Sequence, residues 1–257
     1  MGIIFNKVSY IDVNKASFEI KDNKITGVVG NSKAFKEELF DLLTGRIIPI
    51  EGKIMGNIYN IGFLCPSSSE QFFYGNIGKE FYFQLKVGKV KNINKRARDS
   101  LKMVGLDDSY LDKDINKLSF SEQKLVCFAL ALSFNPKVLV LYEPFLGLSE
   151  EDKSNMIKII RLMKIRYSRT IVIFSKDTDM IHKLCDEIIL INDGIIERIG
   201  DKFSIFSDFD LMKQCHLQIP KLIKFSDIVL KKKKIDIGYR DEIDDLIKDI
   251  YRFVRWF

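Results

Sequence analysis

The chain has 257 residues, a formal net charge of +6 and 46% hydrophobic residues. This length can bury a core of ordinary size in one large domain with a small appendage. The lysines are scattered, and no zinc-finger, homeodomain or RNA-module pattern accompanies them, which argues against a nucleic-acid partner. The four cysteines form no CxxC pair, so neither a disulfide framework nor a zinc site is indicated.

No targeting segment is recognisable at the start, and no apolar run reaches the ~20 residues that a membrane span needs. Widely spaced, unpaired cysteines are typical of a reducing compartment. We therefore expect a cytoplasmic protein whose contact with a membrane is indirect.

The first elements are two short strands, over 3–10 and 16–20, followed by a β-branched strand, ITGVVG (25–30), that stops at a glycine. The next segment, AFKEELFDLLTG, repeats apolar residues at helical spacing and ends at Gly45. Residues 25–45 are therefore predicted to form a strand, a turn and a helix.

Strands and helices alternate through the middle of the chain, which predicts a mostly parallel α/β sheet. The patterns indicate, in order, a strand over 60–65, a mixed helical region over 92–118, a helix over 124–134, a strand over 138–144, a helix over 150–167, a strand over 170–175, a helix over 177–185 and a hairpin over 187–200. From about residue 203 short helical pieces follow, broken at Pro220, Lys231–Lys234 and Gly238, and they end in the aromatic tail YRFVRWF. This change indicates a small C-terminal appendage.

The stretch GVVGNSKAFKEELFDLL (27–43) matches a phosphate-binding loop only in part. Such a loop reads G-x-x-x-x-G-K-[ST], because backbone N–H groups surround the phosphates and a lysine reaches them. Gly30 and Lys36 have the required spacing, but Phe35 stands in place of the second glycine and Glu37 in place of the hydroxyl. Taken alone, the stretch leaves both a nucleotide site and an ordinary structural turn open.

The order of motifs after this stretch is more specific. An LS-x-x-EQ element (118–123) precedes a helix, VLVLYEPFLGLSEED (138–152) follows, and TIVIFSKD (170–177) leads to DEIILINDGIIERIG. Over residues 3–200 this succession resembles the ATP-binding subunit of ABC transporters, from Walker A through signature, Walker B and switch to the terminal hairpin.

Two further segments are similar to energy-coupling-factor importers, which take up vitamins or transition metals. They are SSSEQFFYGNIGKEFYFQL, after the Q-loop, and the C-terminal FSIFSDFDLMKQCHLQIPKLIKFSDIV. The alternative is that both are generic amphipathic helices. In the family the C-terminal extension helps two ATPase subunits to dimerise.

The resemblance implies the ABC-ATPase form of the P-loop NTPase fold. This is an α/β domain over 1–202 with a RecA-like, mostly parallel sheet, N-terminal antiparallel strands and a helical subdomain at about 66–135. A small helical extension over 203–257 completes the expected organisation, and ATP with Mg²⁺ is the implied cofactor.

The same resemblance assigns the site residues. Catalytic and switch positions fall on Glu143 and Lys176, and Glu37, as a carboxylate, is a possible magnesium ligand. Nucleotide contacts fall on Gly30, Asn31, Ser32, Lys33, Ala34, Phe35, Lys36, Glu37 and Glu38, and the signature that approaches a partner's nucleotide falls on Ser119, Phe120, Ser121 and Glu122.

Several of these positions depart from the family's catalytic pattern. Tyr142 stands where an aspartate holds Mg²⁺, and a phenol carries no charge at neutral pH. Lys176 replaces the switch histidine, and Phe35 would obstruct the phosphate cradle. Because phosphoryl transfer depends on positioning and charge neutralisation, we expect hydrolysis to be weak or absent.

Other departures concern recognition. The Q-loop glutamine has Cys65 or Pro66 in its place, two signature glycines are replaced by Phe120 and Ser121, and Tyr10 is the nearest candidate for the adenine-stacking aromatic.

Plainer interpretations stand beside several candidates. Glu143 can simply end its strand, Lys36 can be exposed to solvent, and the aromatic residues over 72–83 can be core packing rather than part of a partner's groove. His182 and His216 are interpreted as structural, and the run Lys231–Lys234 as a solvated face with at most a minor contact to an acidic membrane surface.

Two functional hypotheses follow. The first is an ATP-binding subunit of an energy-coupling-factor importer with weak or no hydrolysis of its own. The second is a pseudo-ATPase that binds no nucleotide and supports an active sister subunit. Both imply a sister ATPase, in a homodimer or heterodimer, and a transmembrane scaffold that docks through coupling helices at the inner face of the membrane. A non-transport ABC protein is a third reading, but the chain lacks the insertions or tandem domains usual there.

Overall fold

The computed structural model describes residues 2–56 and 58–254. Its strands are β1 (Ile3–Ser9), β2 (Ala16–Ile20), β3 (Ile25–Gly30), β4 (Glu51–Met55), β5 (Ile61–Leu64), β6 (Val138–Tyr142), β7 (Thr170–Phe174), β8 (Glu187–Asn192) and β9 (Ile195–Asp201). Its helices are α1 (Lys33–Thr44), α2 (Ile77–Val87), α3 (Ile93–Met103), α4 (Phe120–Ser133), α5 (Glu150–Tyr167), α6 (Thr178–Leu184), α7 (Lys202–Phe206), α8 (Phe209–Gln214), α9 (Lys221–Lys233) and α10 (Ile243–Val254).

The central sheet has six strands in the order β5-β6-β7-β3-β8-β9. Every pair is parallel except β8 with β9, which are antiparallel. Every residue of β3, β6 and β7 is buried, as their continuous apolar runs predict for strands covered on both faces. The predicted α/β class and the hairpin over 187–200 are confirmed.

A second sheet, antiparallel and in the order β2-β1-β4, contains a strand that the sequence analysis missed. Strand β4 is mostly exposed, so it has no alternating apolar pattern to detect. Gly52 has φ +79°, and a Cβ there would lie 2.2 Å from the carbonyl oxygen of Lys7. A glycine is needed at this close approach of β4 to β1.

Helices α2, α3 and α4 lie between β5 and β6 in the sequence, and they pack against one another. Helix α4 is buried at every position from Lys124 to Ser133, because it lies in the core with the sheet and with both other helices. It begins four residues earlier than predicted: Ser119 and Glu122 form a capping box that extends it to Phe120.

Acidic residues just before α10 pair with basic residues of three preceding helices. Glu242 pairs with Arg161 of α5 and with Lys183 of α6, and Asp241 pairs with Lys202 at the start of α7. Helix α10 continues into the predicted aromatic tail, whose last three residues, 255–257, lie outside the described residues. Within the described ranges, no helix has both the length and the apolar character needed to cross a membrane.

Candidate functional site

Only Asn31 and Ser32 separate β3 from α1. Ser32 caps the helix: its Oγ accepts a hydrogen bond from the backbone N–H of Phe35 at 3.4 Å, and its carbonyl oxygen accepts one from Lys36 N at 3.4 Å. These N–H groups are therefore used inside the cap. The Walker A position forms a short turn into a helix, in which the amides of Phe35 and Lys36 are directed to Ser32.

Phe35 and Lys36 are both buried, with 2% and 1% of their surface exposed. Phe35 lies in the core cluster with Leu39 and Phe40. The Nζ of Lys36 has no hydrogen-bond partner among the described residues, and burial lowers its pKa to about 8, aided by the nearby charge of Lys176. The interpretation of Lys36 as a solvent-exposed side chain is wrong.

Two other residues of the stretch bind neighbouring turns. The side-chain amide of Asn31 donates to Asn192 Oδ1 at 3.1 Å and to Asp193 Oδ1 at 3.0 Å, and its Oδ1 accepts from Asp193 N at 3.0 Å. Glu38 Oε2 accepts from the backbone N–H groups of Asp12 at 2.7 Å and of Val13 at 3.0 Å. The turns β8–β9 and β1–β2 are thus both connected to the start of α1.

A cleft of about 620 Å³ opens beside this turn. It is lined by Lys33, Glu37, Pro66, Ser67, Glu70, Tyr142, Glu143, Leu146, Lys176 and Asp177. Four carboxylates and two lysines face it, and Lys33 is paired with Glu37 at 3.5 Å. The excess of negative charge opposes binding of a polyphosphate.

Tyr142 ends β6 with 6% of its surface exposed. Its ring stacks on Phe174 at 5.8 Å and meets the edge of Phe40 at 5.7 Å. Burial, together with the charges of Glu37 and Glu143, raises its pKa, so the phenol stays neutral. The position where the family holds Mg²⁺ is therefore part of an aromatic cluster.

Glu143 is held tightly by the segment that follows β7. Its carboxylate accepts hydrogen bonds from Ser175 Oγ at 2.8 Å and from Lys176 N at 2.8 Å, and its backbone has φ 41°. Its carbonyl oxygen accepts from Lys124 Nζ at 2.7 Å, and burial lowers the pKa of Lys124 to about 8. Both carboxylate oxygens are engaged, so Glu143 is more than the end of a strand.

Ser175 and Lys124 were missed in the sequence. Their positions, directly after the TIVIF strand and directly after LSFSEQ, are the only signal that could have indicated them.

The signature residues lie at the start of α4. Ser119 Oγ and Ser119 N both donate to Glu122 Oε2, and Tyr110 Oη donates to Glu122 Oε1 at 2.6 Å. The Tyr110 and Ser119 hydrogen bonds hold the pKa of Glu122 at about 2. Phe120 is 51% exposed, and its ring lies where a Cβ on Gly147 would point, 2.6 Å away. The signature therefore contacts the segment after Glu143.

At the Q-loop position, Cys65 is buried and Pro66 lines the cleft. Burial raises the pKa of the Cys65 thiol to about 12. The amide that organises this segment is Gln71, which the sequence analysis did not single out. Its side chain accepts from Cys65 N at 3.2 Å and donates to the carbonyl oxygens of Phe63 at 3.1 Å and Cys127 at 3.0 Å.

The arrangement does not fit Mg²⁺-ATP. The amides of Phe35 and Lys36 donate to Ser32, Tyr142 supplies no charge, and Glu37 is paired with Lys33. Among the described residues, no group of three or more His, Cys, Asp or Glu side chains is placed to hold a metal ion.

The family model described as ABC transporter matches residues 13–146. The chain belongs to this family. Among curated proteins it is 30% identical over 228 residues to the energy-coupling factor transporter ATP-binding protein EcfA3 of Oenococcus oeni, covering 82% of this chain and 79% of that protein. It is 26% identical to EcfA2 of Spiroplasma kunkelii, covering 97% of this chain and 92% of that protein. The resemblance to the energy-coupling-factor type is thus confirmed.

The solved structure of cbiO1 from Clostridium perfringens, titled as part of the ABC transporter complex cbiONQ, shares the fold. Its TM-score is 0.67 at 23% identity, and the match covers 88% of this chain and 98% of that one.

Proposed function

We propose that this ABC ATPase-family chain is a subunit of an energy-coupling-factor importer for a vitamin or a transition-metal ion, and that it hydrolyses ATP weakly or not at all. The weak or absent hydrolysis is inferred from the Walker A position, where the amides of Phe35 and Lys36 donate hydrogen bonds to Ser32 at the start of α1. Tyr142 supports it, because a neutral, buried phenol gives no ligand to Mg²⁺.

The proposal has two forms, one in which the subunit binds ATP and one in which it binds no nucleotide. The ammonium of Lys36 has no hydrogen-bond partner among the described residues, and the charges of Glu143 and Lys176 act on it. A buried cation of this kind favours a subunit that still binds ATP. The carboxylate-rich cleft and the capped helix favour a pseudo-ATPase that binds none.

We propose as partners a sister ATPase subunit and a transmembrane scaffold, with the chain peripheral on the inner face of the cell membrane. An exposed aromatic surface supports the scaffold contact: Tyr74 and Phe83 stack at 4.5 Å, and Phe73 is largely exposed beside them. Partly exposed apolar residues on α9 and α10, including Phe225 and Ile247, suit a dimer contact of the C-terminal segment.

Phosphate release and ATP binding by the purified chain, each with and without Mg²⁺, test the proposal. We expect wild-type release to exceed that of Glu143→Gln little or not at all, because the adjacent Tyr142 supplies no charged ligand for magnesium. Glu150→Gln, at an exposed residue of α5, is the control for the charge change. Turnover that Glu143→Gln abolishes and Glu150→Gln preserves would contradict the absence of hydrolysis. ATP binding at millimolar concentration would exclude the non-binding form.

A further inference from the structure

Glu38 lies one turn inside α1, at a position that the family resemblance assigns to nucleotide contact. One oxygen of its carboxylate, Oε2, accepts hydrogen bonds from two successive backbone N–H groups, those of Asp12 and Val13. These N–H groups belong to the β1–β2 turn, which is closed on itself by a hydrogen bond of 2.7 Å from Tyr10 N to Val13 O. Val13 is fully buried, whereas Ile11, Asp12, Asn14 and Lys15 are exposed, so one side chain anchors an otherwise exposed turn.

Two successive N–H groups that converge on one point form a small anion-binding nest. Here the anion is a side chain of the same molecule. Since Asp12 N lies 2.7 Å from Glu38 Oε2, the hairpin turn and α1 are in direct contact at this point. While Glu38 Oε2 accepts both hydrogen bonds, the N–H groups of Asp12 and Val13 are not free to bind an oxygen of a nucleotide.

We infer that Glu38 is an internal anion that occupies the hairpin nest, holds the β1–β2 turn against α1 and keeps the amides of Asp12 and Val13 from binding a nucleotide. The inference rests on the proposed function, since it explains how the family's nucleotide position is closed in this chain. Asn31, just before α1, holds the β8–β9 turn in a similar way through three hydrogen bonds to Asn192 and Asp193.

Amide hydrogen exchange of the full chain tests the contact itself. In Glu38→Ala the amides of Asp12 and Val13 should exchange about tenfold faster or more, because both lose a charged acceptor. Glu37→Ala is the matched control: it removes the same charge one residue earlier, from a side chain that pairs with Lys33 and not with the turn. Unchanged exchange in Glu38→Ala, or an equal increase in Glu37→Ala, would overturn the contact.

Titration with ATP in the absence of Mg²⁺ tests the exclusion. Glu38→Ala should bind ATP about tenfold more tightly than Glu150→Ala, at an exposed residue of α5 outside the cleft, since the two variants have the same net charge and only the first frees the nest. Equal affinities would overturn the exclusion. If Glu38→Ala does not fold, Glu38→Gln keeps the side-chain size, removes the charge and is compared with Glu150→Gln by the same criterion. Neither measurement depends on hydrolysis, so failure here is distinct from failure of the proposed function.

Discussion

At the scale of single residues, two buried lysines lie close to Glu143, and burial lowers the pKa of each to about 8. Lys124 donates its ammonium hydrogen bond to the carbonyl oxygen of Glu143, which fixes a backbone with positive φ. In the part of the chain that the structure describes, the Nζ of Lys36 has no hydrogen-bond acceptor. A buried ammonium without a hydrogen bond destabilises the folded state, so these two lysines should respond differently to substitution.

Lys36→Met should raise the free energy of unfolding at pH 7. A lysine whose pKa falls from 10.5 to about 8 on folding destabilises the fold by on the order of 3 kcal/mol when it is protonated in both states. Between pH 8 and 10.5 the unfolded chain binds more protons at Lys36, so the wild-type free energy of unfolding rises with pH and the gain of the variant disappears.

Urea denaturation at pH 7, 9 and 10.5 measures this difference. Lys33→Met, at an exposed lysine near the start of the same helix, is the control and should show no pH-dependent gain. A Lys36→Met variant that is less stable than wild type at pH 7 would contradict the prediction.

At the scale of elements, Gln71 connects strand β5 to helix α4. Its side-chain oxygen accepts a hydrogen bond from the backbone N–H of Cys65. Its side-chain nitrogen donates to the carbonyl oxygens of Phe63 in β5 and Cys127 in α4. The side chain is buried, so water does not replace these bonds when it is removed. The Gln71 amide therefore adds three specific hydrogen bonds to the apolar packing of α4 on the sheet.

Gln71→Leu should lower the free energy of unfolding by about 3 kcal/mol, because it keeps the volume, leaves the buried N–H of Cys65 unpaired and removes the two hydrogen bonds to the carbonyl oxygens of Phe63 and Cys127. Gln218→Leu, at an exposed glutamine, is the matched control and should stay within about 0.5 kcal/mol of wild type. Urea denaturation of both variants provides the measurement. A Gln71→Leu variant as stable as Gln218→Leu would show that the amide does not join the two elements.

At the scale of the whole molecule, ion pairs fix the C-terminal segment on the main domain. Glu242 has two cationic partners on different helices, Arg161 and Lys183. Both partners are partly exposed, so salt weakens their attraction. The position of α10 is therefore set mainly by charge and the burial of Leu246.

Glu242→Gln should release α10 without unfolding the sheet. We expect amide exchange over 243–251 to become about tenfold faster, while exchange in β3 and β6 stays unchanged. The same region should exchange faster in the wild type when the salt concentration is raised. Glu150→Gln, which breaks a pair within a single helix turn, is the control. Unchanged exchange in α10 at both salt concentrations would contradict the ion-pair account.

The sequence by itself determined the central sheet, most of its helices and the family. Strands β3, β6 and β7 are continuous apolar runs, and helix α1 ends at Gly45 with φ 74°, so these elements follow from local periodicity and stop signals. The order of degenerate motifs then identified the family, because spacing along the chain survives when individual residues change.

Only the tertiary structure decided what these residues do. Lys36 is buried in a helix that contacts β3 and β6, Glu38 meets a turn 25 residues earlier, and Gln71 reaches a carbonyl 56 residues later. Strand β4 forms only because β1 offers an edge to it. Contacts between distant segments leave no periodic pattern in the sequence, since each depends on where the folded backbone brings two unrelated stretches together.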